Sequence, residues 1–264
     1  MDKVLFFAIR NVLQFASLNF AKQFCRLTRA LNYYRLKYGG KFLLQDECLN
    51  DQIGCSVTWI ELSAERKSDE VIVYLHGGGF TSRDGCELMF AESVLNVWAK
   101  CTDRAPPVIC GLQYSLASTS IPGFPMQLDQ VVKVQQLLVT RGYKILAVGG
   151  DSAGANLSIT SMLKQQQLIR SGMPCPYPPC GILISPATDF HMTAGSFARN
   201  AFRDFLNFFW MTKCRRAYLI GRHLGVGGDD KECEFQTGMS NPLCSPLYAT
   251  SDQLARLPPL LVIG

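Results

Sequence analysis

The chain has 264 residues, 48% of them hydrophobic and 18% charged, enough for a substantial buried core and incompatible with a disordered chain. Its formal charge of +5 is uneven: residues 1–41 hold eight Lys/Arg against the single acid Asp2, while the rest carries 18 basic and 20 acidic residues. The main body therefore has no nucleic-acid footprint.

Residues 4–21 (VLFFAIRNVLQFASLNFA) contain one charge, Arg10. A membrane-crossing helix needs about 20 largely apolar residues, and a central arginine would cost roughly 2.5–3.5 kcal/mol. Two readings stay open for residues 1–45. One is a helical N-terminal cap over the body; the other is a basic, apolar segment that lies on or is anchored in a membrane through residues 1–41. The protein is accordingly expected in the cytoplasm or at the endoplasmic-reticulum membrane.

The core is expected over 46–264. CSVTWIEL (55–62), VIVYL (71–75), APPVICGLQYSL (105–116), YKILAVGG (143–150) and CGILIS (180–185) read as strands. Residues 127–141 and Ala153–Ile169 read as helices, the second ending at Ser171-Gly172. Short apolar strands alternating with helices imply an α/β fold with a mostly parallel, doubly wound sheet. Residues 190–240, rich in aromatics (FRDFLNFFW), read as an insertion between two strands, and PPLLVIG (258–264) as the start of one more. Eleven scattered cysteines with no C-x-x-C pair suggest reduced core thiols, with an ER-lumenal protein holding unpaired cysteines as the alternative. Three histidines (His76, His191 and His223) and no H-E-x-x-H motif give no basis for a metal or other cofactor.

Gly150-Asp151-Ser152-Ala153-Gly154 matches G-x-S-x-G between a buried strand and a helix, the setting of a nucleophile elbow. Such a turn strains its central residue and holds the Ser152 hydroxyl out at the carboxyl end of the sheet, beside the positive end of the next helix. A dinucleotide fingerprint from Gly149 would need glycine at Asp151, and a P-loop would need Lys and Ser/Thr at Ala155 and Asn156. His76-Gly77-Gly78-Gly79 follows the VIVYL strand. Consecutive glycines let several backbone N–H groups converge on a developing oxyanion, each donor contributing about 2.7–4 kcal/mol. Gly78, Gly79 and Ala153 are the expected donors.

HGGGF and GDSAG, in this order, resemble the hormone-sensitive-lipase branch of the α/β-hydrolases, which includes bacterial esterases, arylacetamide deacetylase and fungal steryl acetyl hydrolases. YSLAS (114–118) is similar to the family's Y-R-L-A-P and FPMQLDQ (124–130) to F-P-A-A-L-D-D. ISPATDF (184–190) is similar to I-S-P-W-x-D-L, and NPLCSPL (241–247) to a segment after the cap. The resemblance covers about 71–264. It implies an eight-stranded sheet, a helical cap, and hydrolysis of carboxylic esters without a cofactor. It makes Ser152 the nucleophile and Gly78, Gly79 and Ala153 the oxyanion hole. His76 shapes the loop rather than acting as base. Ala155 stands where the family usually has glycine, and Ser115 and Ser118 replace Arg and Pro.

In this family the catalytic acid and histidine follow the strand that begins here as LPPLLVIG. The resemblance thus implies a chain that is C-terminally incomplete, with its last strands and helices, the acid and the histidine lying past Gly264, and inactive alone. Downstream acids (Asp189, Asp204, Asp229, Asp230, Asp252) with His191 or His223 would require a rearranged triad, and solvated cap histidines are the expected reading for both. The expected substrate is a small lipophilic ester of short to medium acyl length, a steryl acetate among the candidates. The alternative function is a non-catalytic small-molecule-binding protein of the same fold, as the gibberellin receptors exemplify.

Overall fold

The computed structural model describes residues 42–49, 51, 53–62, 68–82, 88–117, 123–204, 206–221 and 235–264, with the single positions 17, 23 and 34. The expected cap or membrane segment over 1–45 lies outside them through residue 41 apart from those three positions, and its last residues, 42–45, belong to a strand. No helix among the described residues is long and apolar enough to cross a membrane.

The described strands are β1 (Phe42–Cys48), β2 (Ser56–Leu62), β3 (Glu70–Leu75), β4 (Val108–Gln113), β5 (Lys144–Asp151), β6 (Gly181–Ile184) and β7 (Leu260–Ile263). The helices are α1 (Leu88–Cys101), α2 (Met126–Thr140), α3 (Ala153–Arg170), α4 (Gly195–Asn200), α5 (Phe208–Ile220) and α6 (Ser251–Ala255). One sheet orders the strands β1-β2-β4-β3-β5-β6-β7. β2 runs antiparallel to β1 and β4, and every other neighbouring pair is parallel. The mostly parallel α/β sheet expected from sequence is therefore present, with seven described strands. β1 straddles residue 45, where the sequence reading ended the N-terminal segment, and α1 is a helix that reading did not name. The insertion between β6 and β7 holds α4 and α5.

β3 explains the layering. Its side chains alternate, so Val71, Val73 and Leu75 join one core with Leu128, Val131 and Leu138 of α2 and Leu157 and Met162 of α3. Ile72 and Tyr74 enter a second core with Phe90, Ala91 and Leu95 of α1. Because both faces are covered, a continuous apolar run is the right composition for this strand. Tyr218 and Ile220 of α5 belong to the first core, so the insertion is packed onto the body.

Candidate active site

β3 and β5 are parallel neighbours with Leu75 opposite Gly150. The residues leaving their carboxyl ends, His76–Gly79 and Asp151–Gly154, therefore emerge side by side. Open α/β sheets bind ligands at such strand ends.

Ser152 caps α3 with φ 51° and ψ −112°, a left-handed conformation that few side-chain-bearing residues adopt. Its N–H donates to the Ile184 carbonyl at 2.8 Å, and its carbonyl accepts from Asn156 N–H at 3.0 Å and Ala187 N–H at 3.2 Å. The strain is thus held by bonds on both sides of the residue. The side chain makes no cap hydrogen bond, and the residue is partly exposed.

Asp151 joins the elbow to the glycine loop. One carboxylate oxygen accepts from Tyr74 Oη at 2.6 Å and from Gly77 N–H at 2.8 Å. A Cβ on Gly77 would fall 2.3 Å from the other carboxylate oxygen, so the approach requires glycine. Gly78 and Gly79 turn with φ 95° and 61°. The Gly78 carbonyl faces inward, accepting from the N–H groups of Thr81 at 3.2 Å and Ser82 at 3.1 Å and from Ser82 Oγ at 2.9 Å. The N–H groups of Gly78, Gly79 and Ala153 donate to no acceptor among the described residues. Buried amides without an acceptor are uncommon in folded chains, and these three lie on the two segments that emerge side by side from β3 and β5.

His76 is fully buried. Its ring stacks on Tyr114 at 4.1 Å, its Nδ1 lies 2.8 Å from the Gly77 carbonyl, and Tyr114 Oη donates to the His76 carbonyl at 2.6 Å. The histidine braces the loop. His191 Nε2 lies 2.9 Å from Ser240 Oγ, and His223, Asp229 and Asp230 lie outside the described residues. Asp189 accepts from the N–H groups of His191 and Thr193, and Asp252 pairs with Arg170 and Arg256. Neither acid is bonded to a histidine side chain in these contacts.

Two residues to which the sequence reading gave no structural part carry hydrogen bonds between elements. Asn156, fully buried on α3, donates through Nδ2 to the carbonyls of Ala187 and Cys244 at 2.6 Å each, tying the segment after β6 and the segment after the insertion to the start of α3. Ser158, Thr160, Ser161 and Gln165 of the same helix are buried too, so no local signal set Asn156 apart. Ser115 is fixed by α2, its N–H donating to Gln130 Oε1 at 2.8 Å and its carbonyl accepting from Gln127 Nε2 at 2.9 Å.

The description of the alpha/beta hydrolase fold family matches residues 72–264. The chain belongs to that family. The chain is 29% identical over 184 residues to a protein of Schizosaccharomyces pombe named as a steryl acetyl hydrolase, covering 69% of this chain and 47% of that one. It is also 29% identical over 211 residues to an esterase of Acinetobacter venetianus, covering 76% of this chain and 58% of that one. The chain spans about half the length of the curated relatives it matches. Among solved structures, a hormone-sensitive lipase from a metagenome library superposes with TM-score 0.66 at 26% identity, over 99% of this chain and 77% of that one. An esterase of the bacterial hormone-sensitive lipase family gives the same TM-score at 24% identity, over 99% and 78%, a likeness of fold.

Proposed function

We propose that this alpha/beta hydrolase cleaves carboxylic esters, with Ser152 as nucleophile and Gly78, Gly79 and Ala153 as the oxyanion hole. The observation that carries the reading is the pairing of a partly exposed serine in a left-handed turn with three amides that have no acceptor. Ser152 Oγ attacks the acyl carbon while its proton passes to a general base. The carbonyl oxygen becomes an oxyanion that the three amides stabilise, and the ester C–O bond breaks as the alcohol leaves with the proton. Water then attacks the acyl-serine and releases the carboxylic acid. No step needs a cofactor.

His76 Nδ1 is engaged with the Gly77 carbonyl and His191 Nε2 with Ser240 Oγ, so neither is assigned as the base. The aromatic insertion, with Trp210 and Phe190 buried and Phe208 and Phe209 exposed, favours lipophilic esters of short to medium acyl length. The steryl acetyl hydrolase likeness makes acetate esters of sterols the first to try.

The test is hydrolysis of p-nitrophenyl acetate and butyrate by the protein and by Ser152→Ala. A loss of at least about 10³-fold in kcat is expected, and equal rates would overturn the assignment. Binding of the same esters without turnover in either protein would favour the ligand-binding alternative.

A further inference from the structure

The glycine run alone does not hold the oxyanion loop in shape. Phe80, next in the chain, has φ 64° although it carries a bulky side chain. Such a residue stays left-handed only where its surroundings over-determine it. Its carbonyl accepts from Ala117 N–H at 2.9 Å. Its ring lies against Tyr218 at 3.7 Å with 13° between planes and meets the edge of Phe190 at 5.9 Å.

Tyr218 is on α5, inside the insertion. One helical turn earlier on the same buried face is Cys214, whose Sγ would lie 2.7 Å and whose Cβ 2.9 Å from a Cβ added to Gly79. Cys214 Sγ is also 3.6 Å from Thr81 Oγ1. Consecutive turns of one helix thus touch consecutive loop residues, Cys214 against Gly79 and Thr81, Tyr218 against Phe80. The same helix is fixed at its C-terminal end, where the Tyr218 carbonyl accepts from Phe124 N–H at 2.6 Å.

We infer that α5 is a splint for the oxyanion loop, with Tyr218 and Cys214 as positioning residues that keep Gly79 and Phe80 left-handed and so aim the Gly78 and Gly79 amides. The inference rests on the ester-hydrolase reading for its catalytic consequence, but its structural half stands apart from that reading. It also assigns the insertion a part in transition-state stabilisation in addition to enclosing substrate. Loosening the splint should misdirect the donors without removing any group that meets substrate, and therefore lower kcat with little change in KM.

Three variants test it: Tyr218→Leu, which keeps apolar bulk and removes the flat ring; Cys214→Ala, a milder change; and Tyr218→Phe, which keeps the ring. The loop is read by hydrogen exchange at the Thr81 and Ser82 amides, both bonded to the Gly78 carbonyl. Tyr218→Leu should speed exchange there about tenfold and Cys214→Ala about threefold, with α3 amides unchanged. Tyr218→Phe should restore slow exchange. Hydrolysis of p-nitrophenyl acetate should follow the same ranking, with kcat falling about tenfold or more in Tyr218→Leu at constant KM. Unaltered exchange at Thr81 and Ser82 in both Tyr218→Leu and Cys214→Ala would overturn the splint, as would a loss confined to KM. If the exchange pattern appears but the unsubstituted protein hydrolyses no ester, the splint holds and the ester-hydrolase reading fails.

Discussion

Replacing Gly154 by alanine perturbs the elbow where it has no slack. A Cβ there would lie 1.8 Å from the Leu75 carbonyl oxygen, 2.4 Å from its carbon and 2.7 Å from the His76 carbonyl oxygen. These are backbone atoms at and just past the end of β3, a strand with every side chain buried, so none can rotate aside. The start of α3 would have to retreat by about 1.5 Å to reach ordinary contact. Overpacking of this kind costs about 3 kcal/mol at the upper end of the usual range, offset by roughly 1 kcal/mol of helix propensity gained over glycine. A net loss near 2 kcal/mol is expected in urea unfolding. Because Ser152 rides on the displaced turn, a shift of about 1 Å should cost on the order of 100-fold in kcat/KM. Gly142→Ala is the control. Gly142 has φ 86° and nothing within 4 Å of an added Cβ, so it should lose only about 1 kcal/mol and keep its activity. A Gly154→Ala protein as stable as that control, with a rate within twofold of the unsubstituted protein, would refute the packing argument.

Three other outcomes follow from the contacts. Asp151→Ala removes the acceptor shared by Tyr74 Oη and Gly77 N–H and should cost about 1.5–3 kcal/mol, while Asp151→Asn, which keeps an acceptor oxygen, should cost less; denaturant midpoints decide. The Glu70 carboxyl is held below its ordinary range by its hydrogen bond to Lys144, assisted by Arg104, against the opposing effect of burial. Its stabilising contribution is thus present above about pH 4.3 and drains as pH falls through the lower folded value, so Glu70→Gln should flatten stability against pH in that acid window. Burial pushes the thiols of Cys55 and Cys214 up to about 12 and raises those of Cys110 and Cys244 further. In an iodoacetamide time course read by mass spectrometry, exposed Cys48 and Cys101 should react in the native protein and these four only after denaturation.

The parts of the fold visible in the sequence are those where local pattern and burial agree. VIVYL and ILAVGG carry no charge because both faces of β3 and β5 are covered, and the glycines of HGGG and GDSAG stand where a Cβ would strike backbone, the Asp151 carboxylate or, at Gly79, the Cys214 side chain. β1 escaped notice because an edge strand with exposed Leu43, Gln45 and Asp46 lacks the apolar run of its central neighbours. α1 carries apolar residues toward the core and also at exposed Val97, which blurs its helical period. The splint contacts could not be read at all. Cys214 and Thr81 are 133 positions apart, and no local preference marks a cysteine or tyrosine that will meet a loop only after the sheet has formed. Asn156 was equally hidden, one of several polar residues on a helix whose polar side chains are largely buried, and its part appears only with the Ala187 and Cys244 carbonyls in place.

The role of Ser152 is most directly measured by treating the folded protein with a fluorophosphonate and mapping the adduct by peptide mass spectrometry. A single adduct on Ser152, absent in Ser152→Ala and slowed when Gly79 is replaced by alanine, is the result expected of an oxyanion-assisted nucleophile. An adduct on a different residue, or an unlabelled Ser152 in a protein that hydrolyses esters, would contradict it.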